Sequence, residues 1–349
     1  MKPNEIGRFS LDGDKHFRHD DHQLNYFTPP PNCQVAGECP SFDLKDGYKT
    51  ERYVEYRKSE VPSMPLLQWM VANKSRFESN ELQMPTILTW RNKLAKIMTA
   101  PYDQNSNSDW IITAQKLNGT IYLDDIKTQK QLDNEQNMSE DHKKFSYWGY
   151  RFERYVTNPA SNPTMINKET ELAIVNPNEA FVSVLSSKIG SDITLLLAAA
   201  MDCRKRDENL DAPDCYVELK TLSCFKTDKQ RRNFERYKTL KYWVQSFIVG
   251  VPQITCGFRD DDGFISHMKS FSTDELQHRG RRFWDGRKCM SFLEHILTQL
   301  VALMQDVNEV DTVVVMSWDG KFKSIKVNVE KKSAKASLPQ WYIDAMQNL

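Results

Sequence analysis

The chain has 349 residues, 40% of them hydrophobic and 11% aromatic, and its 47 Lys and Arg balance 47 Asp and Glu. That is enough apolar material for a sizeable core, while the neutral balance excludes a global field for polyanions, so any nucleic-acid surface must be a local patch. No stretch approaches the ~18 apolar residues of a bilayer span and no apolar core follows the Met-Lys-Pro-Asn-Glu start, which points away from the membrane and toward cytosol or nucleus.

Residues 1–60 are polar, broken by Pro29-Pro30-Pro31 and Pro40, and predict an extended arm packed on a single body formed by 61–349. After Pro85, the apolar positions Ile87, Leu88, Trp90, Leu94, Ile97 and Met98 predict a helix that ends at Pro101 and projects Arg91. Strands at 109–113 and 120–123 flank Asn118-Gly119, a pair suited to a tight hairpin turn. The Gln-, Asn- and acid-rich stretch 128–141 reads as a surface loop, from which Ser139 caps a helix to about Val156 that packs through Phe145, Trp148, Phe152 and Tyr155.

The apolar run 193–201 and the segment 216–221 read as strands interior to a sheet. Thr227 or Asp228 starts a long helix through Trp243 and Phe247 to Gly250, with Pro252 beyond. Strands at 253–258 and 264–271, a helix near 290–304, and a strand pair at 310–318 and 321–329 around Asp319-Gly320 complete the chain. The seven cysteines form no Cys-x-x-Cys pair and mostly lie in apolar runs, where free thiols pack as small hydrophobes in a reducing compartment.

The chemistry concentrates between Ala198 and Thr221. Asp202, Glu218 and Lys220 have the order and spacing of an Asp…Glu-X-Lys core: residues 218 and 220 share one strand face, and two strand ends bring both carboxylates to one edge. Hard oxygen ligands of this kind select Mg²⁺ or Mn²⁺, and a metal pair held there would activate water against a phosphodiester, with Lys220 neutralising developing charge. Taken alone the motif is weak, because acids and lysines are common at solvated strand ends.

Other segments occur with it in a fixed order: Trp90-Arg91, Gly149-Tyr-Arg-Phe-Glu153, Met201-Asp202-Cys203, Glu218-Leu-Lys220, Lys241-Tyr-Trp-Val-Gln245-Ser-Phe, Gly250-Val-Pro and Gly257-Phe-Arg. In this joint pattern, over roughly residues 85–320, the chain resembles the DXO family of RNA 5′-end decapping nucleases, including the fungal branch that partners a nuclear 5′→3′ exoribonuclease. The resemblance implies a single α/β domain of two mixed or antiparallel β-sheets flanked by helices, with a PD-(D/E)XK nuclease-like core. It also implies release of pyrophosphate from 5′-triphosphate RNA, removal of unmethylated guanosine and NAD-type caps, and 5′→3′ degradation. Carried over by motif, Glu153, Asp202 and Glu218 resemble the family's metal-binding acids, with the Leu219 carbonyl as a further ligand. Lys220 and Gln245 match residues that position the attacking water, and Arg91 matches an arginine that grips 5′ phosphates, for which a planar fork of donors suits.

One ligand is missing. Where the family places Glu-hydrophobic-Asp, this chain has Ala200-Met201-Asp202, and a methyl group cannot coordinate a hard cation. With the surrounding motifs intact, Ala200 reads as an inactivating replacement of Glu. A non-catalytic RNA-end-binding partner of an exoribonuclease is the alternative, and a DNA nuclease on the same core is a third reading. Two basic stretches, Lys229 to Lys241 around Phe234 and Tyr237, and Arg279 to Arg287 around Trp284, read either as RNA-binding patches or as solvated helix faces.

Overall fold

The computed structural model describes residues 2–35, 38–40, 42–57, 63–103, 108–160 and 173–347. Two sheets organise it. The nine-stranded sheet runs, edge to edge, Ser324–Glu330, Val313–Asp319, Trp110–Leu117, Thr120–Ile126, Ile87–Trp90, Ile193–Met201, Ala180–Ile189, Asn4–Leu11 and Phe17–Arg18. The six-stranded sheet runs Ile265–Ser272, Gln253–Arg259, Tyr216–Ser223, Cys203–Arg204, Asn25–Phe27 and Thr157–Pro159. Both mix parallel and antiparallel pairs: Ile193–Met201 runs parallel to Ile87–Trp90 and antiparallel to Ala180–Ile189, and Tyr216–Ser223 runs parallel to Gln253–Arg259. Each long apolar strand thus has neighbours on both edges, as its unbroken hydrophobic reading required. Buried residues of both sheets and of the Arg91–Thr99, Thr239–Phe247 and Gly286–Met304 helices merge into one core.

In the N-terminal segment, Asn4–Leu11 joins the large sheet against Ala180–Ile189, with Phe9 fully buried, Asn25–Phe27 joins the small one, and residues 44–52 are largely turns. Residues 58–60 of that segment lie outside the described residues.

The helix expected from Pro85 begins later. Ile87–Trp90 is a strand gripped by parallel neighbours on both sides, and only at Arg91 does the helix start. Two β-branched residues and a tryptophan suit a pleated strand, so tertiary pairing prevailed over the apparent helical period. The stretch read as a loop contains a helix, Gln129–Gln136, closed by a reciprocal capping box between Thr128 and Gln131; it buries no residue, so no apolar stripe betrayed it. On the Glu140–Val156 helix, Trp148, Phe152 and Tyr155 are buried but Phe145 is exposed. Asn118 and Gly119 both take positive φ, as the hairpin turn demands. The last strand pair starts at Val313 and Ser324, a few residues later than expected, and the helix before it starts at Gly286, capped by Asp285. One thiol pair departs from the free-cysteine reading: Cys33 and Cys39 are joined by a disulfide, whereas the other five are free.

Candidate active site

Asp202 is the single residue between Ile193–Met201 of the large sheet and Cys203–Arg204 of the small one, so the chain crosses between sheets at this acid. Cys203 then pairs with Val217 antiparallel, which brings Asp202 beside Glu218 and Leu219. The Leu219 N–H donates to Asp202 Oδ2 at 2.7 Å. The two acids therefore meet where the chain crosses between the two sheets.

Glu218 is the hub. Its side chain is 2% exposed. Lys220 Nζ and Gln245 Nε2 each donate to Oε1 at 2.5 Å, and Arg91 Nη1 donates to Oε2 at 3.1 Å. Lys220 comes from the same strand face, Gln245 from the Thr239–Phe247 helix and Arg91 from the first residue of the Arg91–Thr99 helix. Arg91 Nη1 also reaches the Gln245 carbonyl oxygen at 3.4 Å. Burial alone would raise the Glu218 carboxyl, but the Lys220 and Arg91 charges and their hydrogen bonds more than offset it and hold it below the usual range. Burial would likewise discharge Lys220, yet Glu218 and Asp202 keep its ammonium charged and raise it above the ordinary lysine value.

The other two acids behave in the opposite way. Burial first, then the Asp202 charge, push Glu153 up to about 8. Burial, then Glu218, push Asp202 to about 6, against the pull of Lys220 and the Leu219 amide. Carboxyl groups that crowd one another in low dielectric form a seat whose chemistry suits a hard divalent cation. The donor count falls short, however: among the described residues no three His, Cys, Asp or Glu side chains are grouped to hold a metal ion. Two positions limit the seat further. Glu218 has both oxygens engaged by cations and an amide, and Ala200, which shares a strand face with Asp202, offers a methyl group.

Two cavities flank the cluster. Arg91, Gln245 and Lys241 line one of about 470 Å³, and Glu153, Ala200 and Asp202 line another of about 210 Å³. The second is walled by residues that the sequence reading passed over: Tyr150, whose phenol burial raises to about 12, and the Arg154–Glu179 ion pair at 2.6 Å. Tyr150 sits inside the Gly-x-x-x-Glu motif and could have been found there; Glu179 carries no sequence signal. Every residue assigned by motif thus converges on one place, from five segments that span 154 residues between Arg91 and Gln245.

A family model described as RAI1 like PD-(D/E)XK nuclease matches residues 1–343. The decapping and exoribonuclease protein of Homo sapiens is 35% identical over 356 aligned positions, covering 99% of this chain and 85% of that protein. The decapping nuclease RAI1 of Aspergillus fumigatus is 31% identical and is covered to 83%, over 87% of this chain. Among solved structures, Scheffersomyces stipitis Rai1 superposes with a TM-score of 0.83 at 20% identity, covering 100% of this chain and 97% of that one. S. pombe Rai1 in complex with 3′-FADP gives 0.69 at 27% identity, covering 95% and 93%.

Proposed function

The chain belongs to the RAI1-like PD-(D/E)XK nuclease family, and from that premise we propose that it hydrolyses phosphate bonds at RNA 5′ ends. The proposed reactions are pyrophosphate release from 5′-triphosphate RNA and removal of unmethylated guanosine and NAD-type caps, followed by 5′→3′ degradation of the body. The observation that carries the reading is the clamp on Glu218 by Arg91, Lys220 and Gln245. A buried acid, an arginine fork and a lysine are there held at one point beside two further acids.

Glu153 and Asp202 would hold the Mg²⁺ or Mn²⁺, and Glu218 would join them once Arg91 turns from its Oε2 to the substrate. The Leu219 carbonyl would join them, because a strand residue's N–H and C=O leave on the same edge and the Leu219 N–H faces Asp202. A bound divalent cation supplies Lewis acidity toward a phosphate oxygen and acidifies water. Arg91 exchanges Glu218 for the 5′ phosphate, a ligand its planar fork fits better than a single carboxylate oxygen. Lys220, kept charged, stabilises the negative charge that builds on the phosphate, and the Gln245 amide orients the attacking water.

Ala200 supports a second component of the proposal. The deficit of one oxygen ligand makes this chain a poor catalyst that still grips a 5′ end, which also suits the alternative role of an RNA-end-binding partner that stabilises a nuclear exoribonuclease. The test is Mg²⁺- or Mn²⁺-dependent turnover of 5′-triphosphate, unmethylated-cap and NAD-capped RNA by the chain and by Ala200→Glu. A gain on any of these substrates, abolished by adding Glu153→Gln, supports both the enzyme and the reading of Ala200; turnover without a gain sinks the reading of Ala200, and turnover by neither chain sinks the enzyme and leaves the binding role.

A further inference from the structure

The two basic stretches that are separate in sequence form one surface in the fold. Arg232, Arg236, Tyr237 and Lys241 line a cavity of about 380 Å³ together with Arg282 and Phe283. Three local features build it. Phe234–Lys238 is a π-helical turn inside the 228–247 helix, and Arg232 before it, Arg236 within it and Lys241 beyond it all line the cavity. The 281–285 turn is pinned onto that helix by Trp284, whose Nε1–H donates to Thr239 Oγ1 at 3.0 Å and whose ring lies 5.1 Å from that of Trp243. Gly280 permits the pinning, since a Cβ there would stand 2.0 Å from Trp284 Nε1. The fold thus holds Arg282 against the helix.

The cavity is continuous with the active site. Thr99, Asp103 and Lys241 line both it and the cavity that contains Arg91 and Gln245. Its cations sit with aromatic rings: Arg236 lies 5.1 Å from the Tyr237 ring centroid and Arg232 5.7 Å from that of Phe283, and Tyr237 is 44% exposed. Exposed guanidinium groups for phosphates next to an exposed ring for a base are the elements of a sequence-independent single-strand site. We propose that this surface binds the downstream nucleotides of an RNA whose 5′ phosphate occupies Arg91. The inference rests on the reading of Arg91 as the 5′-end site.

Length dependence separates the two claims. Binding of fluorescent 5′-phosphorylated oligouridylates of two and of ten nucleotides is measured in Ca²⁺ for the chain, for Arg232→Ala/Arg282→Ala and for Tyr237→Ala. Since single-strand affinity falls with salt with a logarithmic slope near 0.7 per neutralised phosphate, each lost phosphate contact weakens binding about five-fold at 0.1 M salt relative to 1 M. The double variant is expected to weaken the ten-mer about 25-fold, with a shallower salt dependence, and to leave the dimer unchanged. Tyr237→Ala is expected to weaken the ten-mer at least five-fold, with the salt slope preserved. An unchanged ten-mer affinity, or equal losses at both lengths, overturns the downstream site. Failure of the dimer to bind, or equal binding of its 5′-hydroxyl form, overturns the Arg91 reading instead.

Discussion

Ala200→Glu is the perturbation with the largest expected effect. Position 200 stands opposite Val182 on the neighbouring strand, and its side chain lines the cavity of about 210 Å³ that also contains Glu153 and Asp202. A carboxylate about 4 Å from a divalent ion at an effective dielectric near 20 gains roughly 8 kcal/mol of direct attraction. Dehydrating that carboxylate takes back several kcal/mol, leaving roughly 3–4 kcal/mol, or about 10²- to 10³-fold in metal affinity. Titration calorimetry with Mn²⁺ on both chains measures this directly. Without metal the sign reverses, because a third acid beside Glu153 and Asp202 adds repulsion, so Ala200→Glu should melt lower than the parent chain in chelator and higher than it in excess Mn²⁺. Equal Mn²⁺ affinities, within about three-fold, would refute the reasoning that position 200 faces the metal seat.

The remaining expectations concern charge. Glu153 and Asp202 are raised in the folded chain, so the fold binds more protons there than the unfolded state; metal-free stability contributed by them is present below about pH 4 and is lost as pH rises toward about 8, whereas Glu218, held low, contributes stability that is lost as pH falls through the acid range. Metal binding at pH 7 should therefore release protons, chiefly from Glu153, seen as a dependence of the calorimetric enthalpy on buffer ionisation heat. Arg91→Lys keeps the charge but loses the fork and should weaken a 5′-phosphorylated dinucleotide about 10- to 100-fold by fluorescence anisotropy, since a hydrogen bond to a charged group is worth about 1.5–3 kcal/mol. Behind Arg91, Lys93 is 1% exposed and bridges Asp125 at 3.0 Å and Asp124 at 3.4 Å, so Lys93→Ala should cost about 3 kcal/mol in urea unfolding, the low end for a broken buried pair because Lys96 also engages Asp125.

Much of the site could be read from the chain because its members are chemically specific residues in fixed local spacings. Glu218 and Lys220 share a strand face by the two-residue period alone, and the run of apolar residues before Asp202 marked a strand covered on both edges. Local spacing could not show that Asp202 lies at a crossing between two sheets, since that depends on which distant strands pair with each half of the segment. The helix expected from Pro85 failed for the same reason: Ile87 to Trp90 look helical until their parallel partners on both sides are known. The helix after Thr128 was lost to the opposite cause, a capping box without any buried face. The convergence of Arg232 with Arg282 in one cavity rests on the Trp284 pin, which has no sequence signature of its own.

The most direct measurement is a density map of the chain with Mn²⁺ and a 5′-phosphorylated oligonucleotide. The 5′ phosphate is expected on Arg91, now released from Glu218, with cation density among Glu153, Asp202 and Glu218 at reduced occupancy beside Ala200. A phosphate bound away from Arg91, or cation density that avoids all three acids, would contradict the assignment of this cluster as the catalytic centre.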